Sequence, residues 1–480
     1  MGGNVRRAKH FGRAIAASLL GLGAGELVAA SRGQSLIDSV GRAVVDWSPR
    51  QVVDLTVELL GSRDKPAIRL SVAASAVGAT TALAGLPAPA RSAAVSALAA
   101  ATAGLALRRP PRSVPGTVAA AATAAVGTNL ALANPRGATA WALLGAGALT
   151  TARALLARRR RQHEGTIHSG RFDDEPATTD DGAMKVPGLA SLITPIGDFY
   201  VTDVNLSTPL IDPARWRLPV TGLVSTPCEW SLAELAAQAV EFDAVMVCIH
   251  NPVGGKRVGN GRWLGVPLRT VLERADPSAR ATTLVTRAVD GFTISLPVEP
   301  LRSGEWRGYV VIGLNGQPLP AQHGFPARVF VPGIYGQYTG VKWLTELSLT
   351  TAPHADYWSP RGWPHEPAWV QPQARIDVPA TNAVSGREVT VAGVAWAPPQ
   401  GVAGVEVRVG DGPWQQTELA RELAPTSWRR WHTTLELPPG THAVQASAVS
   451  RSGETQEGRQ RPPFPVGASG WHTVTVTVQP

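Results

Sequence analysis

Cys248 stands where an apolar run, Ala244–Val247, gives way to a loop rich in glycine and cations. The loop carries Asn251, Gly254, Gly255, Lys256 and Arg257 before Arg262 and Trp263 restore a strand-like pattern. A thiolate is a soft metal ligand and a nucleophile. Glycines let a backbone approach a ligand closely, and interleaved cations suit an anionic one. The residues alone leave two readings open: a metal or nucleophile site, or a buried cysteine beside an ordinary surface loop. Two further stretches have the same character. QHGFPAR holds His323 and Arg328, whose guanidinium fork matches phosphate geometry. GQYTGVKW runs through Gly340 to Lys342, a generic anion cradle. Asn205, in DFYVTDVNLSTP, is an amide that both donates and accepts, and Asp290 precedes Gly291 in an apparent turn.

Cys248, Asn251 and RWLGVPL (Arg262 to Leu268) resemble the molybdenum-ligating segment of the sulfite oxidase family of molybdopterin enzymes. The resemblance extends over roughly residues 190 to 480, through DFYVTDVNLSTP, LNGQPLPAQHGFPARVFVPGIYGQYTGVKWL and the β-rich tail, in the family's order. It implies Cys248 as the metal ligand and Asn205, Asp290, His323, Arg328, Gly340 and Lys342 as cofactor contacts. Asn205 stands where sulfite oxidases place a histidine. Trp263, Tyr357 and Arg429 fall where the family has active-site residues, Arg429 within SWRRW. Two positions depart from the pattern. Where sulfite oxidases place substrate-binding arginines, this chain has Asp203, two residues before Asn205, and Val253, five after Cys248. A carboxylate in place of a guanidinium is expected to repel sulfite and favour a neutral oxo donor or acceptor such as a sulfoxide.

Other elements must hold these residues in place. The 480 residues exceed one ordinary core. Residues 1–165 contain 20 Lys+Arg against 7 Asp+Glu, a balance of +13, and the remainder 25 against 29, or −4. The basic third flanks apolar runs near Phe11–Ala30, Ile68–Leu86, Ala93–Leu107, Val118–Ala133 and Ala138–Ala157. That is a membrane signature and not a nucleic-acid patch. Four or five transmembrane helices are expected, with Leu36–Lys65 as an amphipathic interfacial hairpin. Arginines at 108, 109, 112 and 158–161 place the following domain on the cytoplasmic side by the positive-inside count. Arg6-Arg7 before an apolar run keeps export open.

Five regions are expected: a membrane domain at 1–160, a polar linker at 161–190 and an α+β molybdopterin-binding domain at 191–352. A Trp/Pro-rich strap at 353–375 and an Ig-like β-sandwich at 376–480 follow. Alternation with DG and PG turns supports the sandwich, and the family resemblance makes it a dimerisation-type domain. Ser231 with Glu234 forms a capping box before LAELAAQAV.

The cofactor implied is molybdenum–molybdopterin. Cys228 and Cys248 are the only cysteines, and no histidine lies between His10 and His163. A Cys-ligated iron–sulfur cluster and a bis-histidine haem in the bundle are therefore not expected, nor is a flavin. Electrons would pass to an external carrier or a quinone, and the other partners are the lipid bilayer, a small oxo donor or acceptor and a second copy through 376–480. The activity expected is oxygen-atom transfer. The rival is a non-enzymatic membrane protein that presents a degenerate binding domain and an Ig-like module. Deleting residues 1–165 is expected to leave a soluble protein that keeps its cofactor.

Overall fold

The computed structural model describes residues 2–32, 35–48, 52, 64–108, 113–164, 184–206, 208–354 and 356–480. Most of the linker, the second half of the expected interfacial hairpin, and Arg109 and Arg112 lie outside the described residues. The described chain forms two compact units, and the division does not follow the sequence. Asp203–Leu210 and Val289–Gly291 group with the N-terminal helices, while the rest of the chain beyond Gly165 makes the second unit.

In the first unit four helices among the described residues are long and apolar enough to cross a bilayer. The segments concerned are Phe11–Ala30, Lys65–Ala84, Val114–Ala133 and Ala138–Arg158. The run at Ala93–Leu107 also folds as a helix, Ala88–Ala106, but is not one of these four. Prolines at the first positions of Ala88–Ala106 and Val114–Ala133 start those helices where a missing N–H costs nothing. The helix Gly2–Arg32 packs through glycine. A Cβ on Gly145 would strike the backbone of Leu19, one on Gly23 the carbonyl of Gly145, and one on Gly21 the side chain of Thr128. Small residues let the backbones touch and gain dispersion along the whole contact.

The helix Leu36–Trp47 is capped by Ser35, whose hydroxyl accepts from Asp38 N at 3.0 Å. It buries Leu36, Asp38, Ser39, Gly41 and Ala43 and exposes Val44 and Trp47.

The second unit is α+β with a β-rich C-terminal part. One five-stranded sheet runs Cys228–Ser231, Arg217–Gly222, Leu344–Thr350, Thr283–Ala288, Thr293–Pro297. Its only parallel pair is Arg217–Gly222 with Leu344–Thr350. A second sheet runs Val240–Val247, Val258–Pro267, Tyr309–Leu314, Gln317–Pro318, with Arg328–Phe330 paired beside Tyr309–Leu314. Short helices close the gaps. Leu232–Gln238 starts with a complete capping box, Ser231 N donating to Glu234 Oε2 at 2.8 Å and Glu234 N to Ser231 Oγ at 3.2 Å.

Beyond Gln373 come a four-stranded and a five-stranded sheet whose inward residues, among them Val391, Val405, Trp431, Val444 and Val476, share one apolar core. Residue 376 is nonetheless no core boundary. Val394, Trp396 and Trp428 are buried in the same cluster as Leu264 and Val266. Trp428 Nε1 donates to Leu192 O at 2.7 Å, and Val245 N to Thr426 O at 2.8 Å.

Candidate functional site

The antiparallel ladder of Val240–Val247 on Val258–Pro267 ends at the pair Val247–Val258, and Cys248 is the next residue. The loop that follows is tied at its neck, where Cys248 N donates to Arg257 O at 3.0 Å. Asn251 braces it from within, its Oδ1 accepting from Arg257 N at 2.7 Å. A Cβ at Gly255 would press on Asn251 Oδ1 and Pro252, so only glycine fits there. The loop is also held from outside. Arg375 Nη1 donates to Gly255 O at 3.3 Å, and Gly254, at φ +73°, lies against the His472 ring.

Four sequence-designated residues converge on this strand end. Cys248 is buried, and burial pushes its thiol up. The His250 backbone N–H, the Arg257 charge, the Thr202 hydroxyl and the Lys342 charge pull it back down. Arg328, 4% exposed, begins the strand Arg328–Phe330 and donates through Nη1 to His323 O at 3.1 Å. Burial pushes its guanidinium down to about 10, while the Tyr200 phenol favours its charge. Lys342 is buried and donates to Gln322 O at 2.8 Å. His323, buried, sets its ring edge-on to Phe199 at 5.7 Å. Gly340 makes room for this group, because a Cβ there would meet the Gly336 carbonyl and approach Arg328 Nη2 to 3.2 Å.

Three residues without an assigned role in the sequence belong to the same place. Tyr200 is pushed well above the usual phenol range by burial and by Cys248. Tyr335 is pushed up to about 12 by burial, with Cys248 adding to it. Thr202 hydrogen-bonds the Cys248 thiol. Tyr200 and Thr202 sit inside DFYVTDVNLSTP and Tyr335 directly precedes GQYTGVKW, so position was the available signal.

The other designated residues sit elsewhere or act otherwise. Asn205 and Asp290 belong to the first unit, where the Asn205 amide donates to the Asp290 carboxylate. Trp263 is a core residue, its Nε1 donating to Ala244 O at 3.0 Å and its ring packed on Phe199 and Phe330, with Arg328 at 5.8 Å from its centroid. Tyr357 packs on Phe292 and Trp358 with the Arg361 guanidinium 3.8 Å from its centroid. Arg429 does not join the Cys248 group. Its guanidinium donates to Ala420 O at 2.6 Å and Val402 O at 3.2 Å, within the C-terminal sheets. The neighbouring Trp428 faces the other way and makes the contact to Leu192.

A pterin-bound molybdenum suits this donor set. Among the described residues no group of three or more His, Cys, Asp or Glu side chains gathers to hold a metal ion. A single thiol would therefore need its remaining ligands from the cofactor, as a dithiolene supplies. Arg328 Nε, Asn251 Nδ2, Thr339 Oγ1 and both amide atoms of Gln337 are buried with no hydrogen-bond partner. Such atoms are costly to leave unmatched and mark where a polar ligand is accommodated. Buried cations on Arg328 and Lys342 suit an anionic one.

Comparison with known proteins points to the same cofactor class. Residues 205–358 match the oxidoreductase molybdopterin binding domain family. Mitochondrial sulfite oxidase of Mus musculus is 27% identical over 353 residues, covering 60% of this chain and 62% of its own. The chain thus spans less than two thirds of that relative's length. An Azospira oryzae chain, provisionally named a protein-methionine-sulfoxide reductase subunit, is 29% identical over 154 residues, covering 32% of this chain and 56% of its own. Among solved structures, the sulfane dehydrogenase SoxCD of Paracoccus pantotrophus superposes with a TM-score of 0.53 at 20% identity, over 63% of this chain and 90% of that one. That likeness concerns the fold. Residues 205–358 are thus similar to a molybdopterin-binding oxidoreductase domain and the chain is similar to sulfite oxidases, which supports an oxidoreductase over a non-enzymatic presenting module.

Proposed function

We propose that this protein is a membrane-anchored, molybdopterin-dependent oxidoreductase that transfers an oxygen atom at a molybdenum held by Cys248. The observation that carries this reading is the buried thiol at a strand end among buried cations and unpartnered buried polar atoms. When bound, the metal supplies a two-electron exchange of oxygen with the substrate. The chain's own residues do the rest. Cys248 ligates as thiolate, since a metal overrides the upward push of burial. Arg328, Lys342 and His323 hold the anionic and pterin parts of the cofactor, and Arg257 contributes positive charge beside the thiol. Asn205 and Asp290 contact the pterin. Tyr200 keeps its proton and holds a hydroxyl near Cys248 and Arg328. An external quinol or reduced carrier protein supplies the two electrons that reduction of an oxo donor consumes, the four long apolar helices anchor the chain, and the C-terminal Ig-like sheets pair two copies.

Purified full-length protein is expected to hold about one molybdenum per chain, and Cys248→Ala to lose metal and turnover while keeping its circular dichroism. Stoichiometric metal with full turnover in that variant rejects the assignment.

As for the substrate, Asp203 does not act as a lone negative charge, because Lys65 pairs with its carboxylate at 2.7 Å. Val253 remains in place of an arginine. A neutral sulfoxide is the better proposed substrate, in keeping with the name of the Azospira oryzae relative. Steady-state kinetics with sulfite and a sulfoxide should show the higher kcat/KM for the sulfoxide, with little salt dependence. Efficient sulfite turnover that weakens as salt rises refutes this.

A further inference from the structure

The one-turn helix Gly336–Thr339 lies against the strand end that carries Cys248. A Cβ on Gly336 would stand 3.7 Å from the Val247 carbonyl and 3.6 Å from the Tyr200 hydroxyl, and one on Gly340 3.2 Å from Arg328 Nη2. Gly340 N donates to Gly336 O at 2.7 Å, so the two glycines stand one turn apart and share a face. Both are half-buried, while Gln337, Tyr338 and Thr339 between them are buried. At about 100° per residue, Gln337 and Thr339 fall on the two shoulders of the glycine face and Tyr338 falls behind it. Tyr338 accordingly finds its partner elsewhere, its hydroxyl donating to Pro465 O at 3.5 Å.

Gln337 is 9% exposed, and neither its amide oxygen nor its amide nitrogen has a hydrogen-bond partner. Thr339 Oγ1, on the other shoulder, and Arg328 Nε are unpartnered as well. A buried carboxamide with both ends open is selective about what it takes. Sulfite, a dianionic phosphate and a sulfoxide offer acceptors alone, and each would leave the Gln337 oxygen unmatched. A ring that carries an N–H beside a C=O matches both ends at once, as glutamine matches the donor–acceptor edge of adenine. The 2-amino-4-oxo edge of a pterin is of this kind. Arg328 and Lys342 can only donate, so the acceptor for a ring N–H has to come from another group.

We infer that Gln337 reads the amino-oxo edge of the pterin, its carboxamide pairing with the adjacent N–H and C=O of the ring. This rests on the reading that Cys248 holds a pterin-bound molybdenum. Every contact that places Gln337 lies within the β-rich unit.

The test uses the full chain in detergent, made in cells that cannot synthesise the pterin and titrated anaerobically with the isolated cofactor. Bound pterin is read by the fluorescence of its oxidation product, and Tm is measured before cofactor is added. Gln337→Met keeps the length of the side chain and removes both polar ends. It should bind pterin about tenfold to a hundredfold more weakly. The Tm of its cofactor-free form should stay level or rise, because replacing an unmatched buried amide by an apolar group of similar shape is neutral or stabilising. Tyr338→Phe, behind the glycine face, should bind as wild type does. Equal affinity in Gln337→Met and a wild type that binds pterin overturns the inference alone. So does a Gln337→Met whose cofactor-free Tm falls by several degrees, which would make Gln337 a support of the fold, or a Tyr338→Phe that loses as much affinity. A wild type that takes up no pterin overturns the functional reading and the inference with it.

Discussion

At the scale of single residues, Gly340 shows how closely the site is built. Its missing side chain leaves room for the Gly336 carbonyl and the Arg328 guanidinium. Gly340→Ala should therefore displace Arg328 and reduce bound pterin by roughly tenfold to a hundredfold, at a stability cost of about 1–3 kcal/mol. Pterin quantitation beside thermal unfolding checks both, and unchanged pterin content would show that Arg328 does not bear on the cofactor. Cys248, His323, Arg328 and Lys342 each sit in a compact motif that the family resemblance singled out, and hydrogen bonds tie Arg328 to His323 and Lys342 to Gln322. Tyr200 and Thr202 were printed in such a motif, but a phenol and a hydroxyl announce nothing until their neighbours are known. Arg429 opens the strand Arg429–Glu436 with its guanidinium on Ala420 O and Val402 O, while Trp428, just before the strand, meets Leu192, and letters one step apart in SWRRW do not show that difference.

At the scale of elements, the Cys248 loop depends on a C-terminal strand. His472 opens the strand His472–Val478, accepts at Nδ1 from Ile376 N at 2.9 Å, and its ring supports Gly254. Burial first, then the Arg375 charge, hold its pKa below the ordinary imidazole value, with Asp377 opposing. The unfolded chain therefore takes up this proton before the folded one does. The stability it contributes is complete above about pH 6.5 and declines as pH falls below that. The protection of amides at 252–257, taken relative to the intrinsic exchange rate at each pH, should fall severalfold between pH 7.5 and 5.5. His472→Asn, which keeps an acceptor in place of Nδ1 and cannot be protonated, should flatten that response. An equal acid response in the variant would place the titrating group elsewhere. Individual strands and the capped helix at Ser231 were readable from alternation and end signals, since those are local. The continuity of the core across residue 376 was not, because Trp428 meeting Leu192 is a contact over 236 residues that leaves no periodic trace.

At the scale of the whole molecule, the division of the chain revises what a truncation should do. With Asp203–Leu210 grouped among the helices, deleting residues 1–165 removes the partners of Asp203, Asn205 and Leu206. The product should be soluble and keep its β-sheets by circular dichroism, yet hold about tenfold less pterin than the full chain. Equal occupancy in both would show that the helices contribute nothing to holding the pterin. The glycine contacts of the first helix carry a consequence for how the protein is made. Gly23 meets Gly145, which leaves the ribosome 122 residues later, so at about 5–20 residues per second the first helix waits roughly 6–24 s for the surface it was shaped to fit. Until Val114–Ala133 is made, the face that carries Gly21 and Gly25 also lacks the helix it packs on, and Gly23 waits longer still for Gly145. That exposure falls in the course of synthesis well before any of the residues that do chemistry have been translated.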